Sequence, residues 1–159
     1  MKIRFMAKSD LEGAASVHKL AFIRQKNSLE WIKCNFNAFP RFLNFVAEKN
    51  GEVAGYIIWV QKSGFRPEAV IELEQLAVLP NFQGQGIGRK LINESLPLVK
   101  NQLLLNGSIL KHILVTTRAD NFAQQLYKKT LGAEIETTIK DLYSDDEVLM
   151  IARNVSTQR

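Results

Sequence analysis

The stretch LPNFQGQGIGRKL, residues 79 to 91, sets three glycines within five positions, directly ahead of an apolar run with helical spacing. Residues of this kind act through their main chain. A strand end, a glycine-rich turn and a helix N-terminus leave unpaired N–H groups pointing outward, and the helix dipole adds roughly half a positive charge. Glycine lets a phosphate approach the backbone with no Cβ in the way. The spacing therefore predicts an anion site. Two common anion loops do not fit. A P-loop ends in Lys followed by Ser or Thr, whereas Gly88 is followed by Arg89, Lys90 and Leu91. A dinucleotide fingerprint needs G-x-G-x-x-G and an acid about 20 residues on. Here the glycines alternate, and no Asp or Glu occurs between Glu94 and Asp120. Just upstream, AVIELEQLAVLP (69 to 80) has the pattern of a strand, which puts Glu72, Glu74, Leu76 and Val78 on one face. Paired acids on one face suit a cationic amine.

The elements that must hold these groups follow from periodicity and punctuation. KIRFMA (2 to 7) predicts a strand. Residues 9 to 24 predict a helix, with Ser9 and Glu12 at capping-box spacing and His18 among its apolar positions. Residues 28 to 39 predict a short helix stopped before Pro40. Residues 41 to 62 predict two strands joined by Asn50-Gly51, a strong hairpin signal. The 69 to 80 strand ends at Pro80, and a helix begins near Ile87, with Pro97 expected to kink or split it and Asn106-Gly107 as a late stop. KHILVTTR (111 to 118) predicts a buried strand. Residues 120 to 133 predict a helix capped by Asp120 or Asn121 and stopped by Gly132. The rest predicts a hairpin turning at Ser144–Glu147. The order is βααβββαβαββ, and such mixing of strands and helices predicts an α/β layered sheet.

Size and composition narrow the class. The chain's 159 residues suit a single domain, 1–159, with a sizeable core. No apolar run approaches the ~20 residues of a membrane helix, and no apolar segment follows the basic start as in a secretory signal. Cys34 is the sole cysteine, so no internal disulfide can form, and His18 and His112 share no metal spacing with it. No metal and a cytoplasmic home are expected. Cys34 reads as a packing residue between Trp31 and Phe36. The net charge of +5 is scattered rather than run together, which favours a small anion over nucleic acid or a membrane surface.

Gln83-Gly84-Gln85-Gly86-Ile87-Gly88 fits the [QR]-x-x-G-x-[GA] signature of the GNAT family of N-acetyltransferases, and both flanks are in register with it. LEQLAVLPNFQGQGIG resembles the family's fourth strand and loop. NFAQQLYKKTLGA resembles its later helix, with an Asn near the start, a Tyr and a terminal Gly. The resemblance implies a mixed, mostly antiparallel central sheet flanked by helices, and acetyl-CoA as co-substrate. It implies that the amides of Gln83, Gly84, Gln85, Gly86, Ile87, Gly88 and Arg89 hold the pyrophosphate. The main chain of Leu76, Ala77 and Val78 would meet the pantetheine arm like an added strand. Asn121, Gln124 and Tyr127 would face the arm and thioester. The acceptor would be a small amine, a polyamine or a peptide or protein amine, and the resemblance allows a homodimer. A non-catalytic acyl-CoA sensor of the same fold is the alternative.

The resemblance also points the reactive end of the arm back along the strand, towards Glu74 and Glu72 as catalytic acids. Magnitudes restrain their chemistry. A carboxylate near 4.3 facing an ammonium near 10.4 is about six pKa units short, roughly 8 kcal/mol. A carboxylate and water relay is therefore expected over direct proton abstraction. Tyr127 would hydrogen-bond the departing sulfur. With no base placed near Cys34, direct transfer without an acyl-enzyme is expected. Trp31, Phe36, Phe39 and Phe42, within residues 26 to 42, lie where the family's first two helices wall the acceptor cleft; Arg66 and Tyr143 are further wall candidates.

Overall fold

A computed structural model describes residues 1–156. It contains β1 (Lys2–Phe5), α1 (Leu11–Ala21), α2 (Ser28–Asn37), β2 (Phe42–Lys49), β3 (Glu52–Gln61), β4 (Glu68–Val78), α3 (Ile87–Leu105), β5 (Ile109–Arg118), α4 (Ala123–Leu131), β6 (Glu134–Ile139) and β7 (Glu147–Ala152). This is the expected order. The seven strands form one sheet in the order β1-β2-β3-β4-β5-β7-β6. β4 and β5 run parallel, whereas β1–β2, β2–β3, β5–β7 and β6–β7 are antiparallel. None of the described helices is long and apolar enough to cross a membrane.

The chain divides into two compact units. One comprises Met1–Val60 and Gln75–Val99; the other comprises Gln61–Glu74 and the chain from Lys100 on. β4 and α3 each contribute to both.

In the first unit, α1 and α2 lay an apolar stripe on the sheet. Leu11, Ala14, Ala15, Val17 and Ile32 join Val46, Val53, Tyr56, Ile58, Ala77 and Leu79 in one core. The Asn50-Gly51 turn joins β2 to β3 with φ of 54° and 75° at its two residues. Both are left-handed, as a tight hairpin of matching twist requires. Gly55 meets a different demand: a Cβ there would lie 2.7 Å from the Ala77 carbonyl oxygen. On α3, Ser95 Oγ accepts a 2.9 Å hydrogen bond from Trp59 Nε1 of β3.

Two sequence expectations fail in this unit. The Ser9–Glu12 capping box does not form. A single 3₁₀ turn, Lys8–Asp10, precedes α1, and the N-cap residue of α1, Asp10, makes no side-chain bond to the helix. Its Oδ2 accepts the Ala7 amide at 2.7 Å, and Arg4 grips both carboxylate oxygens at 2.6 and 3.0 Å. The carboxylate thus closes the 3₁₀ turn rather than the first turn of α1. The Arg4 hydrogen bond holds the Asp10 carboxyl below the usual carboxylate range. Cys34 is exposed rather than packed, because α2 turns Ile32 and Asn35 inward.

In the second unit, β5 pairs with β4 over Glu68–Glu72 and with β7 over Ile113–Arg118. Buried Ile71, Leu73, Leu110, Ile113, Val115, Leu131, Val148 and Met150 fill its interior. α4 ends at Gly132 in the left-handed region, φ 69°, where its N–H returns to the Lys128 carbonyl. The last hairpin turns over residues 140 to 146, wider than the Ser144–Glu147 turn expected.

α3 continues unbroken past Pro97, against the expected split. Pro97 removes one hydrogen bond, to the carbonyl of Asn93. Both residues are exposed, so water can take that carbonyl.

Candidate active site

The loop after β4 has the geometry its composition predicts. A 3₁₀ turn, Pro80–Phe82, closes the strand end, and α3 starts at Ile87. Gly84 and Gly86 both have φ of 77°, a conformation that costs other residues about 1–2 kcal/mol. The Gly86 carbonyl accepts the first helical bond from Lys90 N at 3.0 Å, which makes Gly86 the N-cap. The amides of Gly86, Ile87, Gly88 and Arg89 thus have no partner within the helix. Gly88 needs no special φ, since it sits inside the first turn.

The loop's side chains are spent on holding its shape. Gln83 Nε2 donates to the Val78 carbonyl at 3.3 Å. Gln85 Oε1 accepts Lys49 Nζ at 2.8 Å, and that ammonium also lies 5.0 Å above the Phe82 ring. Lys90 pairs with Glu94 one turn on.

β4 alternates as expected. Ala69, Ile71, Leu73, Gln75 and Ala77 are buried, while Val70, Glu72, Leu76 and Val78 are half-buried and Glu74 is exposed. The two acids differ. Glu72 Oε2 lies 3.1 Å from Lys62 Nζ, and its Oε1 accepts a long 3.4 Å bond from Thr116 Oγ1. Glu74, on the same strand face, is the more exposed of the two.

The turn before α4 gathers two of the expected residues. The N-cap residue of α4 is Phe122, neither Asp120 nor Asn121, but Asn121 Oδ1 accepts the helix's first amide, that of Ala123, at 2.8 Å. Asp120 instead pairs with Arg118 at 3.1 Å. Gln124 Nε2 donates to the carbonyls of Arg118 and Ala119 at 3.2 and 2.8 Å. Tyr127, one turn into the helix, is 6% exposed, and this burial pushes its hydroxyl pKa up to about 12.

Of the expected wall residues, Trp31, Phe39 and Tyr143 are exposed, whereas Phe36 and Phe42 pack on the first unit's core. Arg66 Nε donates to the Ser63 carbonyl at 2.8 Å. Among the described residues no group of His, Cys, Asp and Glu could hold a metal.

Sequence reasoning missed a buried polar cluster. Gln75 Oε1 receives both Trp31 Nε1, at 2.9 Å, and Tyr56 Oη, at 2.6 Å. The signal was available: the parity that puts Glu72 and Glu74 on one face puts Gln75 on the other, where a polar group must find partners.

A seven-stranded mixed sheet thus carries an amide-lined glycine loop that opens a helix directly after its central strand. Residues 13–133 match the model of the Acetyltransferase (GNAT) family. The chain belongs to this family and is an acetyl-CoA-dependent N-acetyltransferase. Its fold is that of several solved structures. The ribosomal-protein-S18-alanine N-acetyltransferase from Escherichia coli aligns with TM-score 0.72 and 23% identity, over 96% of this chain and 93% of that one. An aminoglycoside 6'-N-acetyltransferase complexed with coenzyme A aligns with TM-score 0.77 and 14% identity, over 100% and 99%. Arabidopsis thaliana NAA60, in complex with a bisubstrate analogue, aligns with TM-score 0.74 and 18% identity, over 94% and 95%. No curated protein sequence matches the chain significantly.

Proposed function

We propose that the chain, as one catalytic domain, transfers the acetyl group of acetyl-CoA to a cationic primary amine by direct attack within a ternary complex. The observation that carries this reading is the quartet of first-turn amides at residues 86 to 89, opened by two left-handed glycines. They fit a diphosphate, and acetyl-CoA brings both the diphosphate and an activated thioester. The amides of Gln83 to Arg89 would bind the pyrophosphate, and the main chain of Leu76, Ala77 and Val78 would guide the pantetheine arm.

Glu74 assists the amine through a water. Its exposure supports this role, and Glu72, half-buried on the same strand face, is the second candidate. Tyr127 donates a hydrogen bond to the leaving sulfur. With its hydroxyl pushed up to about 12, full proton transfer to a thiolate near 8.5 is uphill by roughly 5 kcal/mol. Tyr127 therefore stabilises the thiolate as a neutral donor, and the sulfur's proton comes from solvent. Asn121 and Gln124 shape the turn that presents Tyr127, and the acceptor wall comes from residues 26 to 42.

Release of free CoA thiol, measured over kanamycin, spermidine and a peptide with a free N-terminal alanine, tests the reading. Turnover is expected with at least one amine. Acetyl-CoA binding that is undetectable at millimolar concentration defeats it.

A further inference from the structure

Helix α2 docks through a short apolar stripe, Leu29, Ile32 and Phe36. Of its ten residues only Ile32 and Asn35 are buried, and Trp31 remains 36% exposed. What else holds it is the buried glutamine of β4. Gln75 is 9% exposed, at a position where the strand's parity puts Ile71, Leu73 and Ala77. An indole N–H can only donate, so the Gln75 atom 2.9 Å from Trp31 Nε1 is the amide oxygen. The Tyr56 hydroxyl, 2.6 Å from the same oxygen, must then donate as well. Burial raises the Tyr56 hydroxyl far above its ordinary range, which keeps it a donor. One carbonyl oxygen thus joins α2, β3 and β4.

The same helix is tied at its start to α1. His18, wholly buried on α1, has Nδ1 2.8 Å from Ser28 Oγ at the start of α2 and Nε2 2.8 Å from Gln25 Oε1. Its ring lies 6.3 Å from that of Trp31.

We propose that Gln75 is a positioning residue for the acceptor amine: by taking hydrogen bonds from Trp31 and Tyr56 on one oxygen, it fixes α2 against β4 and holds the acceptor wall in place. This rests on the reading of residues 26 to 42 as that wall. Gln75 touches neither the thioester nor the amine. Its loss is felt in acceptor affinity, because the strand's outward face, which serves acetyl-CoA, keeps its own main-chain geometry.

The test is steady-state kinetics with acetyl-CoA and whichever of the three panel amines turns over fastest. Gln75→Leu is expected to raise the acceptor KM about 10-fold while kcat and the acetyl-CoA Kd stay within about 2-fold. Trp31→Phe and Tyr56→Phe should each give part of that rise. Their double variant should be no worse than Gln75→Leu, since both donors act through one oxygen. A nitroxide on Cys34, exposed on the same helix, should gain mobility in Gln75→Leu. Should that variant fail to fold, Tyr56→Phe, which removes one oxygen atom, decides in its place. An unmoved acceptor KM overturns the clamp whatever the nitroxide does, as does an equal loss of acetyl-CoA affinity, which would mark general loosening. Wild-type protein that turns over no amine defeats the proposed function itself and this inference with it.

Discussion

The loop at 83 to 89 and the turn at 118 to 124 both precede a helix, yet they expose opposite parts of the chain. In the first, Gln83 and Gln85 fold back on the loop and on Lys49, while four amides of the α3 N-terminus are left without helical partners. In the second, Asn121 Oδ1 takes up an orphan amide of α4, and Gln124 occupies two carbonyls. That turn is closed to anions, and a buried hydroxyl, Tyr127, follows it. One helix start is built to receive charge from outside. The other is satisfied from within, so that a single side chain can be held still.

The sharpest way to break this contrast is to deform the first region. Gly86→Val puts a β-branched residue at φ 77°, forces the loop out of shape and should weaken acetyl-CoA binding about 100-fold, measured by calorimetry, as two charge-assisted bonds are lost. Gln85→Ala should change it little, and a comparable loss there would show that side chains, not amides, hold the ligand.

In the second region, Tyr127→Phe should lower kcat by about 100-fold or more with the acetyl-CoA Kd nearly unchanged. A comparable kcat in the variant would leave the tyrosine with packing alone. Because the hydroxyl is pushed up to about 12, the wild-type profile should show no alkaline decline traceable to Tyr127 below about pH 10.

Asn121→Ala should cost about 1 kcal/mol, or some 2–4 °C in Tm, as the bond to the first amide of α4 is lost. If acetyl-CoA affinity falls too, the side chain also reaches the ligand, and the contrast between the two regions narrows.

The smallest effect concerns Glu147, 8% exposed at the start of β7. Burial raises its pKa, with Arg118 opposing and Asp120 and Asp145 adding to the rise. A raised carboxyl means that the folded state holds its proton longer than the unfolded chain. Stability then falls as pH climbs from the ordinary glutamate range through the raised value. Glu147→Gln should therefore melt higher than wild type at neutral pH, by a degree or two (about 0.5 kcal/mol), and equal it near pH 4. A gap that persists in acid would argue against this origin.

Much of this was legible from residue order. Asn50-Gly51, the alternation of β4 and the triple glycine each act locally, through φ demands and parity, so neighbours in sequence suffice to read them. Gly132 and Asn121 are of the same kind. What was not legible depends on distant partners. Ser9 lies inside a 3₁₀ turn that Asp10 closes, with Arg4 on its carboxylate. Pro97 left α3 whole because the carbonyl it orphans belongs to an exposed residue, Asn93. The partners of Glu72, Lys62 and Thr116, lie ten and 44 residues away along the chain but beside it in the fold. Gln75 is intermediate: parity marks it as buried, while its partners lie 44 and 19 residues away.

β4 belongs to both compact units, which gives the strand two clocks. Amide protons over Glu68–Glu72, paired with β5, report how often the unit from Lys100 on opens, whereas the Leu79 amide, bonded to the Ala54 carbonyl just past the strand's end, reports the other. Deuterium uptake along a dozen consecutive residues would thus resolve two opening free energies. Their difference would tell which half of the enzyme yields first when it warms.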